Sequence, residues 1–215
     1  MQADAPADAA EGTKPSTGIC QDLLRGSLGF AGVSVAAFAV WACAGKWLHA
    51  HVGEAGLYVA CAMVFIVFSG LALHPLARGP GSLIRFYRIF LPAFGCYAVA
   101  WSAAWLAFGF GLGEWLGCLA GSVVLAVMIG RGLGQFHSMF KVSLVMFALH
   151  SAGYFLGEKL FYWLVSSTHG GMRGTPIATL AKLGWGMLYG LGLGAGLGYA
   201  FFTFQIEPKG THKTG

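Results

Sequence analysis

Six stretches of this chain, at roughly 28–48, 56–74, 88–110, 114–130, 139–166 and 177–204, are apolar and nearly free of charge. Each approaches or exceeds the ~20 residues an α-helix needs to cross about 30 Å of hydrocarbon. Only 10% of the residues are charged. Ordinary soluble domains carry about 25%, so this chain has too little charge to coat a water-soluble surface. In lipid every backbone N–H and C=O must find its partner within the protein, which leaves helices as the economical solution. The expected fold is therefore all-α: a polytopic integral membrane protein built as a bundle of about six transmembrane helices.

The pattern divides the chain into three parts. Residues 1–27 are read as a disordered cytoplasmic N-terminal segment leading into the first span, 28–204 as the six-helix domain, and 205–215 as a disordered cytoplasmic tail. The first 17 residues are small, polar and acidic, without the basic start and apolar stretch of a signal peptide. Six spans put both termini and the connections at 75–87 and 131–138 on one side. Nine of the 13 Lys and Arg residues fall there. That bias predicts cytoplasmic termini. The basic connection with Arg78, Arg85 and Arg88 is read as a topology anchor facing anionic headgroups, with binding of an anionic substrate as the alternative. The basic residues are scattered over connections, which argues against a nucleic-acid partner.

Glycine spacing is the second strong pattern. Gly186, Gly190, Gly194 and Gly198 recur every four residues in the last span, with Gly192 and Gly196 on an adjoining edge. Gly109, Gly113, Gly117 and Gly121 repeat that spacing around the fourth span. A four-residue step keeps each set near one helix face, giving GxxxG-type rows where another helix can approach backbone to backbone. The sequence leaves two occupants open: another helix of the same chain, or a neighbouring subunit in an oligomer. Residues 190–195, GLGLGA, also fit a dinucleotide fingerprint, but without the strand that must precede it.

Ionisable groups inside a span are costly and are expected to face protein or a water-filled path. In the fifth span His150, Tyr154 and Glu158 stand at successive turns, with Ser143 and Ser151 close to the same face. The stripe suggests a polar path in which Glu158 gathers cations, Tyr154 bridges and His150 carries a proton. Outside the spans, His49, His51, Glu54 and His169 map to the outer side, and imidazole with carboxylate suits zinc or copper. Five cysteines without a CxxC pair offer neither a disulfide framework nor a thiolate metal site. No nucleotide-binding or hydrolase motif is present and no cofactor is implied.

These features point to a non-enzymatic channel or transporter subunit for a proton, cation or small solute. Its partners would be the lipid bilayer and either itself or another membrane subunit. The alternative is a structural or assembly subunit of a larger membrane complex.

Overall fold

A computed structural model describes residues 15–167 and 176–206, and among them there is no strand. Helix α1 spans Pro15–Ala39 and continues through a π-helical turn, Val40–Ala44, into α2, Gly45–Leu73. After the 3₁₀ turn His74–Leu76 come α3 (Ser82–Phe108), α4 (Leu112–Gly132), α5 (Met139–Ser166) and α6 (Pro176–Gln205). Among the described residues, five stretches are long and apolar enough to cross a membrane, the first running over 59 residues from Gly18 to Leu76. This is compatible with an integral membrane protein. α1 begins 13 residues before the expected first span, and its added turns are packed, with Asp22 buried.

A straight helix of 59 residues would be ~90 Å long at 1.5 Å per residue, about three times the hydrocarbon thickness. The stretch instead folds back on itself. Gly53 takes φ 72° and ψ −177°, which breaks α2 into two helical arms. Phe30 stacks on Phe65 at 5.7 Å, and the Cys61 thiol donates to the Ala37 carbonyl at 3.6 Å. The second arm therefore runs antiparallel to α1.

From α2 the packing proceeds laterally through α1, α6, α5 and α4 to α3. The glycine rows lie where these helices meet. A Cβ at Gly190 would stand 2.6 Å from the Ala31 Cα, and one at Gly198 would stand 3.1 Å from the Leu23 Cα. At Gly194 it would meet the Gly26 carbonyl oxygen, and at Gly186 the Phe38 ring. This row of α6 thus faces α1. Across the same contact Ser27 donates to the Leu191 carbonyl at 2.9 Å. The adjoining edge faces α5, where Gly192 and Gly153 approach each other reciprocally. On α4, Gly113, Gly117 and Gly121 receive Trp105, Trp101 and Tyr97 of α3.

Gly109 departs from the expected row. It is the C-cap of α3 with φ 69°, a left-handed turn conformation outside α4. Its four-residue register with Gly113 is a coincidence of spacing across a helix boundary.

One end of the bundle is tied by polar contacts. Arg78 donates to the buried Asp22 carboxylate at 2.5 Å, and the Gln205 side-chain amide donates to the Leu76 carbonyl at 2.7 Å. His137 reaches the Thr203 carbonyl at 3.3 Å. The start of α1, the α2–α3 and α4–α5 connections and the end of α6 therefore share this end, called inner below. Arg78→Ala leaves Asp22 buried without its cation. Because the guanidinium is half exposed, a loss of about 1–2 kcal/mol is expected, read as a lowered melting temperature in detergent.

Candidate functional site

One group of buried and partly buried polar side chains lies on three neighbouring helices in one-turn steps. On α4 these are Glu114, Cys118 and Ser122, on α5 His150, Ser151 and Tyr154, and on α3 Tyr97 and Trp101. From Glu114 to Ser122 the column covers ~12 Å along the helix axis. Its position follows from the glycines. With no Cβ at Gly117 and Gly121, the rings of Trp101 and Tyr97 lie against the α4 backbone beside Cys118 and Ser122.

His150 forms the deep end and is 0% exposed. The Tyr97 hydroxyl stands 3.2 Å from its Nε2, and the Ser122 hydroxyl 3.3 Å from its Nδ1. Tyr97 is also 2.9 Å from the Tyr189 hydroxyl of α6. Four helices thus contribute one polar group each to a continuous chain, Ser122–His150–Tyr97–Tyr189. A neutral imidazole donates from one nitrogen and accepts at the other, while each hydroxyl does both. The hydrogen bonds of this chain can therefore run in either direction, depending on which nitrogen of the imidazole carries the proton.

The outer end is built on Glu114, which is 5% exposed. Its Oε2 accepts the Gly111 N–H at 2.9 Å, fixing the first turn of α4. Its Oε1 accepts the Tyr154 hydroxyl at 3.1 Å. Between the two ends the Cys118 thiol neighbours Trp101 and Ser151. The Trp101 Nε1 and the Ser151 Oγ are buried and make no hydrogen bond among the described residues.

On the inner side of His150 polar groups give way to rings. Tyr97, Phe94, Phe90 and Phe86 of α3 stack in sequence at 5.5, 5.2 and 4.9 Å, and Phe86 stacks on Phe201 at 5.6 Å. Phe30 lies against Phe90 and Phe94.

No family model, curated protein or solved structure matches this chain. Its function must be argued from the site.

The stripe expected on α5 is brought together only in part. His150, Ser151 and Tyr154 are buried side by side, whereas Ser143 and Glu158 are half-buried at its margins. Tyr154 gives its hydroxyl to Glu114 rather than to Glu158, because α4 supplies the nearer carboxylate. The four partners missing from the sequence reading, Tyr97, Glu114, Ser122 and Tyr189, belong to other helices. A sequence signal existed for two of them: Glu114, Cys118 and Ser122 repeat every four residues along the same side of α4 as its glycines.

Among the described residues, the outer histidines and Glu54 do not assemble into a metal site. His51 turns its Nδ1 to the Trp47 carbonyl at 2.8 Å and stacks on that indole, and Glu54 accepts from Tyr58 at 3.4 Å. Among the described residues no three potential metal ligands come together. His169 lies outside the described residues. Of the basic connection, Arg78 and Arg85 line a pocket at the inner end, while Arg88 is exposed on α3.

Proposed function

We propose that this chain is a small integral membrane protein of six crossings, Gly18–Leu76 supplying two, that conducts protons as a channel or transporter subunit. The observation carrying this reading is the buried chain Ser122–His150–Tyr97–Tyr189, with a separate hydrogen-bonded pair, Tyr154 and Glu114, one turn and more outward of it. Insertion scales put an Asp, Lys or Arg at a helix centre at about 2.5–3.5 kcal/mol, and the same desolvation argument extends to a buried Glu. A bundle held by glycine rows and phenylalanines has no packing need for such groups. Tyrosine and histidine side chains relay protons without moving their backbones, which suits an interior packed this closely. The Lys/Arg bias supports a cytoplasmic inner end. The glycine rows of α4 and α6 serve to close the bundle within one chain.

The test is proton flux into vesicles containing the purified protein, driven by a potassium diffusion potential and read with an internal pH dye. His150→Gln keeps polar contacts but cannot carry the proton, so flux should fall at least tenfold. Ser143→Ala, at the margin of the stripe, should leave it unchanged. Wild-type flux in a folded His150→Gln protein would overturn the proposal.

A second reading is a non-catalytic assembly subunit. It is favoured by a shallow apolar groove on the outer face of α1 and α2, floored by Gly29, Gly32 and Ala72. On that reading the protein purified in mild detergent retains another membrane chain, and vesicles containing it alone show no flux above empty vesicles.

A further inference from the structure

The polar column leaves the inner end of the molecule without a role, and that end has chemistry of its own. Arg78, Arg85, Leu133, Gln135, Phe204 and Gln205 line a pocket of about 250 Å³. Water occupies ~30 Å³ in the liquid, so the space suits a polyatomic group rather than a bare ion.

The arginines are held in place before any ligand arrives. Gln205 accepts the Arg78 N–H at 2.8 Å and donates to both Leu76 and Phe201, pinning the connection to the end of α6. The Arg78 guanidinium is committed to Asp22 and lies over the Phe202 ring at 5.4 Å. Arg85 donates to the Arg78 carbonyl at 2.5 Å. A side chain at Gly79 would press to 3.2 Å from the Arg85 guanidinium, and φ 107° there also favours glycine. Arg85 makes no ion pair among the described residues, and Asp22, the carboxylate described at this end, already belongs to Arg78.

We propose that this pocket binds a phosphate-bearing anion, with Arg85 as its principal contact and Arg78 in support. Arginine's planar fork of donors matches phosphate oxygens two at a time. Leu133 and Phe204 give the pocket an apolar wall at the level where the spans end. That placement suits an anionic phospholipid, whose phosphate meets the arginines while the start of its acyl chains lies on the apolar wall. The site is independent of proton conduction.

The experiment measures the thermal midpoint of the purified full chain in detergent. Three additions are compared: phosphatidylglycerol, phosphatidylcholine and inorganic phosphate. Phosphatidylglycerol should raise the wild-type midpoint above that in phosphatidylcholine. Arg85→Gln should weaken its apparent affinity at least tenfold, and Arg85→Lys, which keeps the charge but loses the fork, by a smaller factor. Arg88→Gln, one turn along α3 and outside the pocket, should behave as wild type. A shift with phosphatidylglycerol alone identifies the lipid, and a shift with millimolar phosphate identifies a soluble phosphate ester; either supports the site. Equal responses of the Arg85 and Arg88 variants would overturn it, as would no response to any phosphate-bearing addition. Midpoints in phosphatidylcholine show whether Arg85→Gln is folded, and Arg85→Lys provides the comparison if it is not.

Discussion

Gly194→Leu should prevent the bundle from forming. A Cβ at this position meets the Gly26 carbonyl oxygen and approaches the Phe30 Cβ to 2.7 Å. The first obstacle is backbone, which cannot swing aside like the end of a side chain. α1 and α6 would have to separate along their shared face, breaking the Ser27–Leu191 hydrogen bond and opening the contacts at Gly190 and Gly198. Overpacking a core costs ~1–3 kcal/mol for modest insertions. Leucine adds four carbons against backbone, so the loss should exceed ~3 kcal/mol. Gly32→Leu is the matched control, because nothing lies within 4 Å of a Cβ there. Size-exclusion profiles and melting curves in detergent should show aggregation or little recoverable protein for Gly194→Leu and normal behaviour for Gly32→Leu. A monodisperse Gly194→Leu protein with the wild-type midpoint would refute the close contact of α1 with α6.

The second large effect is expected at Glu114, where two substitutions separate its roles. Glu114→Leu leaves the Tyr154 hydroxyl and the Gly111 N–H without their acceptor. A buried unsatisfied donor such as the Tyr154 hydroxyl costs about 1–3 kcal/mol, and the Gly111 N–H, on an exposed residue, adds less. Glu114→Gln keeps an amide oxygen for one of the donors and should fold with a smaller loss. It removes the carboxylate, however, and on the proton-conducting reading its vesicle flux should still fall at least tenfold. Unchanged flux in Glu114→Gln would make Glu114 a cap and a packing group only.

What was legible in the sequence depended on whether a relation lay within one helix. Apolar blocks, the four-residue glycine rows and the turn-by-turn spacing of His150 and Tyr154 are properties of single segments. The partner of each row was not. α6 meets α1 across separations that run from 148 residues (Gly186 to Phe38) to 176 (Gly198 to Asp22), and no feature of 186–198 selects 22–38 as its complement. The same limit hid Glu114: its spacing marks a side of α4, but only packing reveals that Tyr154, 40 residues later, turns toward it. Composition also concealed a difference between similar segments. Gly53–Glu54 and Gly113–Glu114 begin stretches that align without gaps, yet Glu54 is exposed beside Tyr58 whereas Glu114 is buried. Gly109 shows the converse error, a four-residue register that begins on the C-cap of α3 rather than within α4.

On the proton-conducting reading, the stacked rings from Tyr97 to Phe86 would set the direction in which His150 trades protons. Phenylalanine neither donates nor accepts, so the imidazole has its hydrogen-bonded neighbours in Tyr97 and Ser122, with Tyr154 and Glu114 farther outward, and no polar group along the ring stack beyond Phe94. In the arrangement described, exchange is one-sided, as in a cul-de-sac. Net passage across the membrane then requires the rings of α3 to part from Phe30 and Phe201, a collective helix motion of microseconds to milliseconds. Turnover would be paced by that opening, and mutations that loosen the ring stack should accelerate conduction without touching a single titratable group.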